Sequence, residues 1–375
     1  MKLLFTAGAL HGHVNPMLSL AMAAQRAGHD VVFATGPDMA QHVHRARLEC
    51  WPVGMTHAEA GGNDQASWID YFVRTARART EQLMPRALRW RPDVVVHEET
   101  EIAGSVVAAA CGVRHHGVHG LGLMPPARLL HMLAPAITAL AAPWQAADVW
   151  QRLRDATYLE LAPPALHAPG ERFWHTTQPL RPPVDAALRG DRLPAAFDAL
   201  PFERTVALSL GTVFNGAHHV FDAALAGLRA LRVNVVAITG PGCDPGRLGR
   251  QPQHVLVQRW VPYALLLPRI DALVSHGGAG GIFAALGHGV PQLLMPQGAD
   301  QHTNTQACVR AGAALAIESP PVNGRDVAAM TARLLDDPQY ARAADAVRRQ
   351  ISAMPDAAVA LEALLEREPA APASA

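Results

Sequence analysis

The stretch "SHGGAGGIFAALGHGVPQLLMPQGADQHTN", residues 275–304, decides the fold of this chain. It follows a short apolar run that is typical of a buried strand, and its glycines Gly277, Gly278, Gly280 and Gly281 precede an apolar segment typical of a helix. A glycine-rich turn from a strand into a helix gathers unpaired backbone N–H groups at the positive end of the helix dipole. The turn therefore suits a phosphate or pyrophosphate, although glycines at such a turn can also serve tight packing alone.

The glycine spacing differs from two common nucleotide-binding motifs. It matches neither the G-x-G-x-x-G of nicotinamide dehydrogenases nor the G-x-x-x-x-G-K-[ST] of P-loop ATPases. Those two classes of protein are therefore poorly supported.

Outside this stretch, apolar strand-like runs alternate with helical segments through most of the chain. This alternation predicts parallel sheets with helices on both faces, whose ligands bind beyond the carboxyl ends of the strands. A first helix is expected from Pro16, with that proline in its first turn. The segment 124–180 is apolar and lacks the strand rhythm. Strands are predicted at residues 2–6, 30–36, 92–98, 205–212, 234–240, 254–260, 271–278 and 291–297.

The length of 375 residues suits two domains. Proline-rich sequence beginning near Pro179 separates the two runs of strands and helices and is typical of a linker. We therefore expect an N-terminal domain over residues 1–180, a linker over 181–201, a C-terminal domain over 202–350, and a C-terminal helix with a disordered tail over 351–375.

Composition limits the partners and the compartment. The 32 Lys and Arg residues balance 32 Asp and Glu residues, so no basic excess indicates nucleic acid or an anionic membrane. The four cysteines form no C-x-x-C pair, which favours reduced thiols in a cytoplasm. The N-terminal "MKLLFTAGAL" continues directly into a strand–turn–helix pattern, and prolines interrupt the apolar segment 129–144. We therefore expect neither a signal peptide nor a membrane span.

Two histidines in "ALHGHVNPM", residues 9–17, follow the first predicted strand. His11 and His13 could bind a metal, pack in the interior or accept a proton. The nearby sequence offers no further His, Cys or carboxylate motif at metal-ligand spacing, so a metal site is not indicated.

Taken together, the motifs resemble the UGT-like glycosyltransferases, and more narrowly the actinobacterial enzymes that attach sugars to antibiotics and other natural products. The resemblance rests on HGGAG followed by PQGADQ, on RWVP before them, on VALSLGT, and on HGHVNP near the N-terminus, and it spans essentially the whole chain. It implies an α/β protein of GT-B architecture, with two facing Rossmann-like doubly wound parallel-sheet domains joined by a linker. The first domain would bind mainly the acceptor and the second mainly the nucleotide sugar.

The resemblance implies a set of donor-binding residues in the second domain. They are His276, Gly278, Gly280 and Gly281 for the pyrophosphate, Ser209 and Thr212 for the phosphates or ribose, Trp260 and Val261 for the base, and Asp300 and Gln301 for the sugar hydroxyls.

This chain departs from the family pattern at two donor positions, and two assigned residues have simpler alternatives. Gly281 stands where the family usually has Thr or Ser, and Tyr263 where it often has Gln. The first change removes a hydroxyl from the phosphate site, and the second leaves the base contact open. Trp260 could instead be a core aromatic residue, and Asp300 could serve as a helix N-cap.

In the resembled family the histidine of a G-H-x-x-P pattern is the general base, which here is His13. The family's partner acid ends a later strand, and "VVVHEET" points to Glu98. Strand alternation should turn Glu99 away from Glu98, while Glu101 also lies close in sequence. The alternative is an exposed acidic turn that caps the next helix. His11 has no assigned role.

An apolar acceptor cleft is expected from Trp68, Phe72, Met124 and Met132, although ordinary helix packing would explain each of them equally well. No D-x-D motif is present, so no metal and no cofactor are expected.

The resemblance, together with these observations, implies an inverting, metal-independent glycosyltransferase of the hexosyltransferase type, cytoplasmic and active in natural-product biosynthesis. The expected donor is a nucleotide sugar, most simply a dTDP-deoxysugar, and the expected acceptor is a small hydrophobic aglycone. A homodimer is left open. The alternatives are a nucleotide-sugar epimerase, a cell-envelope glycosyltransferase, and a catalytically silent homologue that only binds nucleotide sugar.

Overall fold

A computed structural model describes residues 1–61, 68–120, 126–168, 176–184, 190–211, 217–240, 243–319 and 321–366, with the backbone alone at 68 and 126–130. The chain forms two compact units. The first comprises Met1–Leu161, Pro169–Arg181 and Met354–Ala375, and the second comprises Ala162–Ala168 and Pro182–Ala353.

The first unit is built on a seven-stranded sheet in which every pair of neighbouring strands is parallel. Leu3, Leu4 and Phe5 of the first strand are fully buried, as expected for a strand covered on both faces. The strand order is β3-β2-β1-β4-β5-β6-β7. The strands are β1 (Lys2–Thr6), β2 (Asp30–Thr35), β3 (Glu49–Pro52), β4 (Val94–Glu98), β5 (Arg114–His119), β6 (Thr157–Glu160) and β7 (Thr176–Pro179).

Helices connect these strands and cover the sheet. A core of Leu4, Val95, Leu83, Val106 and Ile137 joins two central strands to three of the helices. The helices are α1 (His11–Arg26), α2 (Ala40–Arg45), α3 (Trp68–Trp90), α4 (Ile102–Cys111), α5 (Pro126–Ala141) and α6 (Val149–Asp155).

The second unit repeats the plan with a six-stranded parallel sheet of order β10-β9-β8-β11-β12-β13. Its strands are β8 (Thr205–Ser209), β9 (Asn234–Ile238), β10 (Val255–Gln258), β11 (Ala272–Ser275), β12 (Gln292–Leu294) and β13 (Ala314–Ala316). Its helices are α7 (His218–Arg229), α8 (Tyr263–Leu266), α9 (Ala279–Gly287), α10 (Gln301–Arg310), α11 (Gly324–Asp336) and α12 (Pro338–Ala353).

A final helix, α13 (Ala357–Glu366), returns to the first unit and packs against α1. Arg181 makes two hydrogen bonds to the segment that precedes α13. Its backbone N–H donates to Pro355 O at 2.8 Å, and its Nε donates to Met354 O at 3.1 Å. The expected tail beyond this helix, residues 367–375, lies outside the described residues.

Both sheets reverse their strand order at one point, between β1 and β4 in the first and between β8 and β11 in the second. At such a point the connections leave toward opposite faces, and a crevice opens beyond the carboxyl ends of the two strands. These two crevices are where ligand-binding residues are expected.

The predicted architecture of two doubly wound parallel-sheet domains is confirmed, and several details differ. Strands β6 and β7 lie in the segment where no strands were predicted, and β3, β5 and β13 were also missed. The prediction that Pro16 opens the first helix was wrong. The Val14 N–H already donates to Leu10 O at 3.0 Å, so α1 begins at His11 and contains Pro16 in its interior.

Among the described residues, no helix combines the length and the apolar character that crossing a membrane requires.

Gly104 lets α4 approach the sheet closely. A Cβ on this residue would lie 2.2 Å from Thr6 Oγ1 and 2.8 Å from His97 Cβ. We expect Gly104→Ala to lower the free energy of unfolding by about 1–3 kcal/mol through overpacking, measured by urea denaturation. Gly12→Ala is the control, because a Cβ on Gly12 of α1 would meet no atom of the described part of the chain within 4 Å. Equal urea midpoints for the two variants would contradict this account of the packing.

Candidate functional site

The first crevice contains an imidazole and a carboxylate in contact. His13 lies in the first turn of α1, directly after β1, and Glu98 is the last residue of β4. Glu98 Oε1 lies 3.0 Å from His13 Nδ1. The His13 side chain is 17% exposed and that of Glu98 is 0% exposed, so of the two only the imidazole can meet a ligand.

Main-chain and hydroxyl donors surround the Glu98 carboxylate. Gly8 N–H donates to Oε1 at 3.2 Å, and Thr100 N–H donates to Oε2 at 2.7 Å. The Thr100 hydroxyl lies 2.8 Å from each carboxylate oxygen. Burial acts to raise the pKa of Glu98, but the charge and hydrogen bond of His13 and the donors of Thr100 outweigh it and hold the pKa at about 2.

The ionised carboxylate fixes the hydrogen-bonding roles of the His13 ring. An ionised carboxylate can only accept hydrogen bonds. His13 Nδ1 therefore carries a proton and donates a hydrogen bond to Glu98 Oε1. With the proton of a neutral ring on Nδ1, the lone pair is on Nε2. This arrangement of base and orienting acid is the one that general-base catalysis requires.

The residues after Glu98 turn to different neighbours. Glu99 is hydrogen-bonded to His119 Nδ1 on β5. Glu101 Oε1 caps α4 by accepting the Ala103 N–H at 2.9 Å and pairs with Arg79 Nη1 at 3.1 Å. The capping role that was the alternative for this acidic turn therefore belongs to Glu101, and of these three glutamates Glu98 is the one that contacts His13.

The predicted acceptor residues have separate outcomes. The Phe72 ring on α3 lies 5.7 Å from the His13 ring, so the structure brings an aromatic surface to the candidate base. Met132 is half-buried on α5, which packs against α3, α4 and α6. Trp68 begins α3 but its side chain is not described, and Met124 lies outside the described residues.

His11 packs beside another histidine. Its ring meets the His42 ring edge-on, with centroids 4.9 Å apart, and His42 Nε2 lies 2.6 Å from Asn15 Oδ1. Burial lowers the pKa of His11. Burial, followed by the charges of His11 and Arg45, lowers the pKa of His42 to about 4. The structure thus gives His11, which had no role from the sequence, a packing partner.

The second crevice centres on His276, directly after β11. A Cβ on Gly211 would lie 2.5 Å from His276 Cε1, and a Cβ on Gly278 would lie 2.5 Å from His276 Nε2. Gly211 also has a φ of 76°, so this position requires glycine for two reasons. Burial lowers the pKa of His276 to about 4, against the opposing effect of a hydrogen bond to the Ser209 backbone. His276 is therefore neutral at pH 7.

The first turn of α9 has room beside its glycines. Gly278 precedes this helix, and a Cβ on Gly280 or Gly281 would meet none of the described residues within 4 Å. The N–H groups of this turn have no partners within the helix, which suits a diphosphate. The predicted phosphate ligand Thr212 lies outside the described residues.

The residues predicted to receive the base differ in exposure. Trp260 follows β10 and is 61% exposed, which does not fit the alternative of a core aromatic residue. Val261 is 1% exposed and packs in an apolar cluster with Leu266, so a contact to a base would have to come from its backbone. Tyr263, whose role the sequence left open, is hydrogen-bonded to the Ser209 side chain, and burial raises its pKa.

The two predicted sugar ligands are also placed differently. Asp300 lies at the N-terminus of α10, where its side chain accepts from Asn304 Nδ2 at 2.6 Å and makes no capping hydrogen bond. Gln301 is 1% exposed, and its Oε1 accepts the Gln297 N–H at 2.7 Å. Gln301 therefore supports the loop, and Asp300 is the more accessible of the two.

Within the described part of the chain, no three His, Cys, Asp or Glu side chains are grouped so that they could hold a metal ion.

Sequence comparison relates the chain to enzymes of antibiotic biosynthesis. Residues 225–366 match the family model of the C-terminal domain of erythromycin biosynthesis protein CIII-like proteins. The elloramycin glycosyltransferase ElmGT of Streptomyces olivaceus is 30% identical over 95% of this chain and 94% of its own. The L-demethylnoviosyl transferase of Streptomyces niveus is 32% identical over 84% and 85% of the two chains.

Solved structures show the same architecture. The glycosyltransferase SnogD from Streptomyces nogalater is 28% identical and superposes with a TM-score of 0.77 over 97% of this chain and 98% of its own. The glycosyltransferase VinC, solved in complex with dTDP, is 25% identical with a TM-score of 0.80 over the same shares of the two chains. The fold of the present chain is accordingly that of the GT-B glycosyltransferases.

The low pKa of Glu98 makes its stabilising effect depend on pH. Because the pKa is depressed in the folded state, the contribution is present above the ordinary value of 4.5 and is lost as pH falls toward 2. We expect Glu98→Gln to be less stable than wild type at pH 6.5, and the gap to narrow by about 1 kcal/mol at pH 3.5. Urea denaturation at both pH values measures the gap.

Glu362→Gln, which changes an exposed carboxylate on α13, is the control for this experiment. A gap between wild type and Glu98→Gln that is constant from pH 6.5 to pH 3.5 would show that the folded state does not favour ionised Glu98.

Proposed function

The chain belongs to the family of natural-product glycosyltransferases, and we propose that it moves a sugar from a dTDP-linked donor to a hydrophobic aglycone with inversion at the anomeric carbon. The observation that carries the proposal is the contact of the partly exposed His13 with the buried, ionised Glu98 at the crevice of the first unit.

The acceptor group gains nucleophilicity when His13 Nε2 takes its proton. The Nδ1–H bond to Glu98 holds the ring with Nε2 outward, and the buried carboxylate stabilises the imidazolium that forms. The acceptor oxygen then bonds to the anomeric carbon as the bond from that carbon to the diphosphate breaks. A single displacement of this kind inverts the configuration.

Negative charge develops on the diphosphate as its bond to the anomeric carbon breaks. The N–H groups at the start of α9 and the neutral His276 offer hydrogen bonds to it without a metal ion. We therefore propose metal-independent transfer, with Asp300 as a ligand of the sugar hydroxyls.

The donor base and the acceptor class rest on separate observations. The exposed Trp260 offers an indole face to a nucleobase, and the dTDP complex of VinC supports thymine as that base. The Phe72 ring beside His13 favours an apolar, ring-containing acceptor. The name of the elloramycin glycosyltransferase ElmGT and the match to the erythromycin biosynthesis protein CIII-like model support an antibiotic-type aglycone.

Transfer assays with the base variant test the proposal. The purified enzyme is incubated with dTDP- and UDP-sugars and a panel of aromatic aglycones, and products are detected by mass. We expect His13→Ala to lower the rate at least about 100-fold, because the proton acceptor is lost, while dTDP affinity is unchanged. The anomeric configuration of the product is read by NMR.

His44→Ala, which removes an exposed imidazole on α2, is the matched control and should transfer at the wild-type rate. Equal product yield from wild type and His13→Ala would rule out His13 as the base. Nucleotide binding without transfer or hydrolysis would favour a catalytically silent protein, and release of an epimerised sugar would favour an epimerase.

Gly281 allows a second test, directed at the donor site. A Cβ there would meet none of the described atoms within 4 Å, so Gly281→Ser places a hydroxyl next to the proposed phosphate position at the first turn of α9. We expect about 3- to 10-fold tighter dTDP binding by calorimetry, the value of one added hydrogen bond. Gly281→Ala supplies the same Cβ without the hydroxyl, and equal affinities of the Ser and Ala variants would place the phosphates elsewhere.

A further inference from the structure

Thr100 contacts both members of the proposed catalytic pair. Its Oγ1 lies 2.8 Å from Glu98 Oε1, 2.8 Å from Glu98 Oε2 and 3.2 Å from His13 Nδ1. Its N–H donates to Glu98 Oε2 at 2.7 Å.

The hydroxyl has one proton and two lone pairs, which determines how it serves the three neighbours. Its proton can only go to Glu98, because His13 Nδ1 already carries a proton for the same carboxylate. Its lone pair then accepts a share of the Nδ1–H bond. The distances are 3.0 Å from Nδ1 to Oε1, 2.8 Å from Oγ1 to Oε1 and 3.2 Å from Oγ1 to Nδ1. All three contacts are therefore hydrogen bonds if Nδ1 donates to Oε1 and Oγ1 while Oγ1 donates to Glu98.

The backbone of Thr100 does not replace this hydroxyl. The Thr100 N–H reaches Oε2, whereas His13 is bonded to Oε1. Without the hydroxyl, the only donor besides His13 that holds Oε1 among the described residues is the Gly8 N–H at the longer distance of 3.2 Å, so the carboxylate can rotate more freely about its last side-chain bond and carry Oε1 away from Nδ1. The hydroxyl, which contacts both oxygens, restrains that rotation.

We propose that Thr100 is a positioning residue of the transfer reaction, whose hydroxyl orients the Glu98 carboxylate and thereby holds the His13 ring with Nδ1 protonated and Nε2 toward the acceptor. The inference rests on the proposed function, since it concerns the same base. It assigns no contact between Thr100 and either substrate. Loss of the Thr100 hydroxyl therefore slows the chemical step and leaves substrate binding intact.

Thr100→Val keeps the shape of the side chain and removes the hydroxyl, and Thr100→Ser keeps the hydroxyl. We expect the Val variant to lose about 10- to 100-fold in kcat, with KM for both substrates within about twofold of wild type. The Ser variant should retain kcat within about threefold, since its hydroxyl makes the same bonds. Thr100→Ala is the second hydroxyl-free variant, should the Val protein fail to fold.

The matched control is Thr80→Val, which removes another buried hydroxyl from the same unit. Thr80 Oγ1 donates to Ala76 O within α3 at 2.7 Å, and this variant should keep the wild-type kcat. Wild-type kcat in the Val or Ala variant, or equal losses in the Val and Ser variants, would overturn the inference.

Nitrogen NMR of histidine-labelled enzyme gives a readout that needs no turnover. The His13 signals, identified by their absence in His13→Ala, should show protonated Nδ1 and unprotonated Nε2 in wild type and in Thr100→Ser. In Thr100→Val they should move toward an average of the two tautomers. Unchanged signals would overturn the inference even if wild type transfers sugar. A wild type that shows these signals and transfers no sugar would refute the proposed function alone.

Discussion

The parallel pairing of β1 with β4 is the constraint on which the first candidate site depends. It sets Thr6 beside His97, so the residues that follow the two strands emerge side by side although they are distant in the sequence. The same rule pairs Ser275 with Ser209 in the second sheet and places His276 beside the end of β8. In both units the strand order reverses at this pair, which leaves room for a ligand between connections that diverge.

The four residues after the core of β4, "EETE" at 98–101, divide their contacts among separate elements. Glu98 reaches the start of α1, Glu99 reaches β5, Thr100 stays with Glu98, and Glu101 joins α4 to α3 through Arg79. A glutamate displaced from any of these contacts would leave a buried charge unpaired, which is costly. The turn is therefore restrained from several sides, and a proton acceptor beside it has little freedom to move.

The strands that the sequence predicts are those whose buried side chains are mostly apolar. Apolar strands such as β1 and β4 are recognisable alone, whereas the pairing of His13 with Glu98 was predicted from the resemblance of GHVNP and VVVHEET to the family pattern. Strand β5, "RHHGVH", is not recognisable, because its histidines are buried beside partners distant in the sequence. His97 on β4 pairs with His115, and Glu99 just after β4 pairs with His119. The contacts of Thr100 and Tyr263 depend on side-chain directions beyond a strand end, which no sequence period specifies.

The return of α13 to the first unit affects how the protein is made. This helix buries Ala360, Leu361 and Leu364 and packs on α1, the helix that carries His13, yet it follows the whole second unit in the chain. During synthesis the ribosome therefore exposes α1 long before its packing partner exists. The first unit completes its core only after the second has emerged, so the helix that carries His13 gains this packing partner only once the second unit has been translated.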